Sequence, residues 1–95
     1  MDKPVRVQRK RSKGWRMPEN TVYVGRPTKY GNPYKPSECA QGAQGAVDCF
    51  RILVESEPEN IENIRRDLRG KNLACFCSLD KPCHADVLLE IANAP

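Results

Sequence analysis

Cys75, Cys77, Cys83 and His84 are the residues of this sequence with the most chemical capacity. Thiolates and imidazole are zinc ligands, and the same groups serve as nucleophile and general base. Three readings stay open on residue types and spacing. In the first, Cys75, Cys77, Cys83 and His84 hold zinc as three thiolates and one imidazole. The spacing C-x-C-x5-C-H is unlike the common zinc knuckles, and adjacent Cys83 and His84 must both turn toward one ion. In the second, the cluster is a ligand or catalytic pocket. Cys77 or Cys83 is then the nucleophile or thiol donor, and His84 the base or hydrogen-bonding group. In the third, reduced cysteines pack as small apolar residues beside a satisfied core histidine.

A second constellation lies upstream. The run V-G-R-P-T-K-Y-G-N-P-Y carries Gly25 and Gly31, which tolerate backbone conformations barred to other residues. Asn32 precedes Pro33 and is thereby pushed extended, which fixes the direction of its amide. Arg26 and Lys29 add charge suited to phosphate, and Tyr23, Tyr30 and Tyr34 offer rings for stacking. The glycine spacing fits neither a Walker loop nor a dinucleotide fingerprint. A rigid structural turn capped by Asn32 is the competing reading.

These groups need elements to position them. Val5 and Val7 alternate with polar residues as in a short strand, and Thr21–Val24 reads as another. Residues 9–20 form a basic loop containing Arg9, Lys10, Arg11, Lys13 and Arg16, with Trp15 either docked on the core or exposed for stacking. Val47, Phe50 and Val54, widened by Ile52 and Leu53, predict a helix over 46–55. Pro58 opens a second, with Ile61, Ile64 and Leu68 at helical spacing and Gly70 as its stop. Asn72–Cys77 is a buried strand placing Leu73, Cys75 and Cys77 on one face and Ala74 and Phe76 on the other. A last helix begins near Pro82, with His84, Val87, Leu88 and Ile91 on its inward stripe. The order β-β-α-α-β-α predicts an α/β (or α+β) domain, a small mixed sheet of about three strands covered by three helices. Strand end, turn and helix start then meet at Cys77 and Cys83. There, free N–H groups attract anions and lower a thiol pKa, which makes Cys83 a candidate thiolate.

Ninety-five residues make one domain, 1–95. No apolar run is long enough to span a bilayer, and the charged start lacks the apolar stretch of a signal peptide. The expectation is a cytoplasmic protein. Five cysteines without a secretion signal argue against a disulfide framework. Charge is unevenly spread: residues 1–35 carry ten Lys/Arg against two acidic residues, and residues 36–95 carry six against ten. A basic front half suits phosphate-bearing partners, although a solvated surface reads the same way.

Three segments together, V-Y-V-G-R-P-T-K-Y-G-N-P-Y, L-R-G-K-N-L-A-C-F-C and C-H-A-D-V-L-L-E-I-A-N, resemble the phage and bacterial family called domain of unknown function 4326. The resemblance runs from about Val5 to Asn93. It implies that Gly31–Asn32–Pro33, the Cys75/Cys77 pair and Cys83–His84–Ala85–Asp86 are signature positions, and it brings no established activity. Phe76 stands where that family often has Trp. The C-terminal part faintly resembles a second family, domain of unknown function 488, through Cys77, Cys83 and His84 but not Cys75. Asp86 can orient a neighbour, close a salt bridge with Arg26, or simply face solvent in the first helical turn.

Three functions follow as expectations. One is a domain binding a nucleotide-like or other phosphate-bearing ligand through Arg26, Lys29, Gly31, Asn32 and Asp86, with Cys77, Cys83 and His84 as possible catalytic groups. The second is a nucleic-acid-binding module using Lys10, Arg11, Lys13, Trp15 and Arg16, with structural zinc on Cys75, Cys77, Cys83 and His84. The third is a non-catalytic phage protein that binds or sequesters a host factor, acting in the host cytoplasm.

Overall fold

The computed structural model describes residues 3–26 and 28–94. Pro27 of the Gly/Pro loop, and residues 1, 2 and 95 of the expected single domain, lie outside the described residues. The chain runs β1 (Arg6–Gln8), β2 (Thr21–Tyr23), a 3-10 turn (Pro36–Glu38), α1 (Gly42–Glu55), α2 (Pro58–Leu68), β3 (Asn72–Cys75) and α3 (His84–Asn93). The expected order β-β-α-α-β-α holds, with three strands and three α-helices.

The strands lie in the order β1-β3-β2, and both pairs are parallel, so the strand directions are more uniform than a mixed sheet. Arg6 is opposite Leu73, and Val22 is opposite the same residue from the other side. Alternation therefore puts Arg6, Gln8, Val22, Leu73 and Cys75 on one face, and Val7, Tyr23 and Ala74 on the other. The helices cover the first face: α3 packs on β3 and β1, and α1 and α2 pack on α3. Since β2 runs parallel to β1, segment 9–20 must carry the chain from the carboxyl edge of the sheet back to its amino edge.

Helix boundaries follow local chemistry. In α2, Pro58 stands at the start with Glu59 in the first turn, Arg65 and Arg66 in the last, and Gly70 beyond it at φ +79°. This matches the sign of the helix dipole at both ends and ends the helix with a left-handed residue. α1 begins at Gly42, four residues before the apolar stripe, because its first turn, Gly-Ala-Gln-Gly, carries no apolar periodic signal. Ala46, Val47, Phe50 and Val54 face the core. Ile52 is 71% exposed and Leu53 is also exposed, so neither widens the stripe as expected. Ile52 lies about 200° around the helix from Phe50, which turns it to solvent.

The core gathers Val24, Phe50, Ile64, Leu68, Leu73, Val87 and Leu88 with the thiols Cys75 and Cys83. Each fully buried aliphatic side chain contributes roughly 1.5–3 kcal/mol, so this set carries the fold. α3 is the central helix, since Ala85, Val87, Leu88, Ile91 and Ala92 are all buried while Asp86 and Glu90 are exposed. No helix among the described residues is long and apolar enough to cross a membrane.

Candidate functional site

Parallel pairing delivers the carboxyl ends of all three strands to one edge. Backbone bonds continue past the strand ends, from Arg9 N–H to the Cys75 carbonyl (2.7 Å) and from Val24 N–H to the Ala74 carbonyl (2.9 Å). Segments 9–11, 24–26 and 76–83 therefore leave the sheet side by side. β3 ends at Cys75, two residues earlier than expected, and Phe76 and Cys77 turn outward and are exposed.

Three of the four expected cluster residues converge. The Sγ atoms of Cys75, Cys77 and Cys83 all lie within 4.8 Å of one another, a group that can hold a metal ion. Cys75 and Cys83 are buried with their sulfurs 2.9 Å apart, and Cys77 is exposed. Cys83 is the N-cap of α3 rather than a first-turn residue, with extended φ and ψ and a carbonyl that accepts from Asp86 N–H at 3.0 Å.

The thiols do not ionise as the helix-terminus argument predicts. The hydrogen bond to Cys75, together with burial, pushes Cys83 up to about 11, and this outweighs help from His84 and the Ala85 N–H. The same sulfur–sulfur bond holds Cys75 below the ordinary thiol value. Burial, then the hydrogen bond with Cys83, pushes Cys77 up. The Cys75–Cys83 pair shares one sulfur–sulfur hydrogen bond, so its first deprotonation belongs to the pair and not to the helix terminus alone.

His84 faces inward as its place on the apolar stripe predicts, and is buried. Its Nε2 lies 2.7 Å from the Val24 carbonyl oxygen, its Nδ1 lies 3.6 Å from Cys83 Sγ, and its ring meets Phe50 edge-on at 5.1 Å. A carbonyl oxygen can only accept, so Nε2 carries the proton. His84 stands outside the group of mutually close sulfurs.

A cleft of about 640 Å³ opens over this cluster. Its walls are Cys75, Cys77, Cys83 and His84 on one side, and Gly25, Arg26, Asn32 and Tyr34 on the other. The expected meeting of the Gly/Pro loop with the Cys/His cluster is thus present. Individual loop residues play other parts. Asn32 is buried and donates to the Ala46 carbonyl at 3.0 Å while accepting from Tyr34 N–H at 2.9 Å, so its amide clamps loop to α1. Arg26 lines the cleft and spends part of its guanidinium on the carbonyls of Asn32 (2.7 Å) and Tyr34 (3.1 Å). Lys29 is turned away from the cleft: it pairs with Asp67 at 3.1 Å, because Tyr30 anchors this part of the loop on α2. Gly31 supports from beneath, where an added Cβ would sit 3.1 Å from the carbonyl oxygens of Gly25 and Thr28.

Asp86 pairs with Arg6 at 3.1 Å, not with Arg26. Arg6 follows from the register, since it sits on the helix-covered face of β1 and reaches α3 directly. Its guanidinium also donates to the carbonyls of Ser78 (3.1 Å) and Leu79 (2.7 Å), which holds the turn between Cys77 and Cys83. Sequence reasoning missed Arg6, because the alternation reads Val5 and Val7 as the inward set; only the pairing with Leu73 puts Arg6 on the helix-covered face. It also missed Lys81 and Phe76 as cleft residues.

In the basic segment, Lys10, Arg11, Lys13 and Arg16 are exposed and Trp15 is half-buried. Arg11 alone of these lines the cleft. Its guanidinium lies 4.6 Å from the centre of the Phe76 ring, and that of Arg9 lies 4.5 Å from the centre of Tyr23. The two rings meet edge-on at 5.8 Å, so cations and aromatics alternate along this rim.

Residues 7–94 match the family described as Domain of unknown function (DUF4326). No curated protein and no solved structure matches the chain.

Proposed function

The chain belongs to the family described as Domain of unknown function (DUF4326), and we propose that it binds a phosphate-bearing, nucleotide-like ligand in the cleft. The lining carries this reading. Arg11, Arg26 and Lys81 are its cations, Tyr23, Tyr34 and Phe76 its aromatic rings, and no carboxylate lines it among the described residues. Guanidinium groups match phosphate oxygens with two parallel hydrogen bonds, and rings take a base by stacking. The start of α3 adds N–H groups at the same edge. A volume of about 640 Å³ lies inside the range of about 300–1,000 Å³ that small-molecule sites occupy. Cys77, exposed at the cleft wall, is the thiol placed to meet such a ligand, with Cys83 and His84 behind it.

A second reading has its own support. Three converging sulfurs suit zinc, and exposed Phe76 beside the Arg9 and Arg11 guanidiniums suits a stacked base of single-stranded nucleic acid. In that reading zinc is structural and the basic segment contacts phosphates.

Calorimetric and thermal-shift titrations with inorganic phosphate and nucleoside mono-, di- and triphosphates test the first reading. Ligand at a hundred times Kd stabilises the fold by about 2.7 kcal/mol, a readable rise in melting temperature. Arg11→Ala and Lys81→Ala should weaken binding, while Lys29→Ala, facing Asp67, should not. No shift with any of these compounds overturns the reading. Tight binding of an oligonucleotide that weakens steeply with salt, without mononucleotide binding, favours the second.

A further inference from the structure

We propose that Cys75, Cys77 and Cys83 hold one zinc ion whose fourth coordination position opens into the cleft, with His84 outside the ligand set. This rests on the zinc reading above and adds the open position, which makes the metal part of the ligand site rather than a closed structural staple.

The sulfur geometry comes first. The three Sγ atoms lie within 4.8 Å of one another. Tetrahedral zinc with bonds of about 2.3 Å sets its thiolates about 3.8 Å apart. The Cys75 and Cys83 sulfurs, at 2.9 Å, would spread by roughly an ångström to admit the ion. Binding replaces S–H bonds with S–Zn bonds, and the displaced protons pass to solvent.

The fourth position follows from what surrounds the sulfurs. No other His, Cys, Asp or Glu donor among the described residues joins the group. His84 Nε2–H donates to the Val24 carbonyl, and its Nδ1 lies 3.6 Å from Cys83 Sγ, but the ring is not within 4.8 Å of all three sulfurs. All three cysteines line the cleft, and Cys77 is exposed there. Three protein ligands with an accessible fourth site is the pattern of zinc that binds water or substrate, whereas structural zinc is closed by four.

Charge agrees. Three thiolates around a divalent cation leave one negative charge. Arg6, with a side chain only 8% exposed, sits at the turn joining Cys77 to Cys83, and Arg11 and Lys81 line the same cleft. An oxygen, nitrogen or sulfur donor entering the cleft would complete the tetrahedron, with those cations meeting its phosphate.

Cobalt(II), added to reduced metal-free protein, is the probe. One equivalent should produce thiolate-to-metal charge-transfer bands and intense tetrahedral visible bands, with proton release. Cys75→Ser, Cys77→Ser and Cys83→Ser should each lose these bands. His84→Ala should lower affinity by no more than about a hundredfold, as for a residue that orients a ligand, and should leave band positions unchanged. Added imidazole should shift the visible bands of the wild type by occupying the open position. If His84→Ala does not fold, X-ray absorption of the wild-type zinc protein decides: three sulfurs and one light atom without imidazole scattering support the proposal. Imidazole scattering, or bands unmoved by added imidazole, overturns the open position while leaving the zinc reading intact. Failure of the wild type to bind one equivalent of either metal overturns both, without touching the phosphate-cleft reading.

Discussion

The Nε2–H of His84 donates to the carbonyl oxygen of Val24 across 2.7 Å, joining the first residue of α3 to the residue just after β2 over a sequence separation of 60. The bond ties the helix start to the loop that forms the opposite cleft wall. The same ring packs on Phe50. Removing it leaves a buried carbonyl without its donor and a void beside the aromatic ring. His84→Ala should cost about 2–4 kcal/mol. For a domain of this size that lowers the melting temperature on the order of 10 °C or more, measurable by circular dichroism. A change within about half a kcal/mol would show that His84 is not a structural tie.

Arg6 should matter more than its exposed partner Asp86. The Arg6 side chain is 8% exposed and satisfies two carbonyls and one carboxylate, whereas the Asp86 side chain is 54% exposed. Arg6→Ala should destabilise by about 2–4 kcal/mol, because the turn at Ser78 and Leu79 loses its donors. Asp86→Asn should cost less than about 1 kcal/mol, as for an exposed ion pair. Arg6→Lys should rescue only partly, since one ammonium cannot reproduce a fork shared among three acceptors. Urea unfolding of the three variants checks the ranking, and equal losses for Arg6→Ala and Asp86→Asn would contradict it.

Asp67 gives the acid limb of stability a defined origin. The Tyr30 hydroxyl, then Arg66 and Lys29, donate to its carboxylate and hold it well below the usual carboxylate range. A carboxyl whose pKa is depressed on folding adds stability that is fully present above its unfolded pKa, about 4, and lost as the pH falls below it. Asp67→Asn should therefore flatten the decline of the urea midpoint between neutral pH and acid. An unchanged slope would show that the Tyr30 anchor does not couple to proton uptake.

Gly31 is needed for space. Its Cβ would meet backbone on three sides, at 3.1–3.2 Å from Gly25, Thr28 and Arg26. Backbone cannot rotate away as a side chain can, so Gly31→Ala should displace the loop and cost about 1–3 kcal/mol. Because Asn32 and Arg26 are set by the same loop, ligand affinity should fall with stability. Gly14→Ala is the contrast: no atom lies within 4 Å, and its penalty comes from φ +83° alone.

Much of this was legible in the residues themselves. Periodicity placed Val47, Phe50 and Val54 inside and turned His84 inward, because a helix face is a local property of the chain. Pro58 and Gly70 marked the ends of α2 for the same reason. The juxtaposition of Gly/Pro loop and Cys/His cluster followed from both lying just after strands. The four-ligand reading of Cys75, Cys77, Cys83 and His84 was not separable from a three-sulfur one, since adjacency in sequence does not say which way two neighbouring side chains point.

The sequence by itself determined the element order, the inward stripes of α2 and α3, and the family. Tertiary structure decided the pairings: Arg6 with Asp86 and the Ser78–Leu79 turn, Lys29 with Asp67, Asn32 with Ala46, and Cys75 with Cys83. Arg6 and Asp86 are 80 residues apart and meet only because β1 lies beside β3 with Arg6 in register with Leu73. Such a register depends on the whole sheet. The raised pKa of Cys83 depends on it too, because the hydrogen bond to Cys75 and burial outweigh the local field of the α3 terminus.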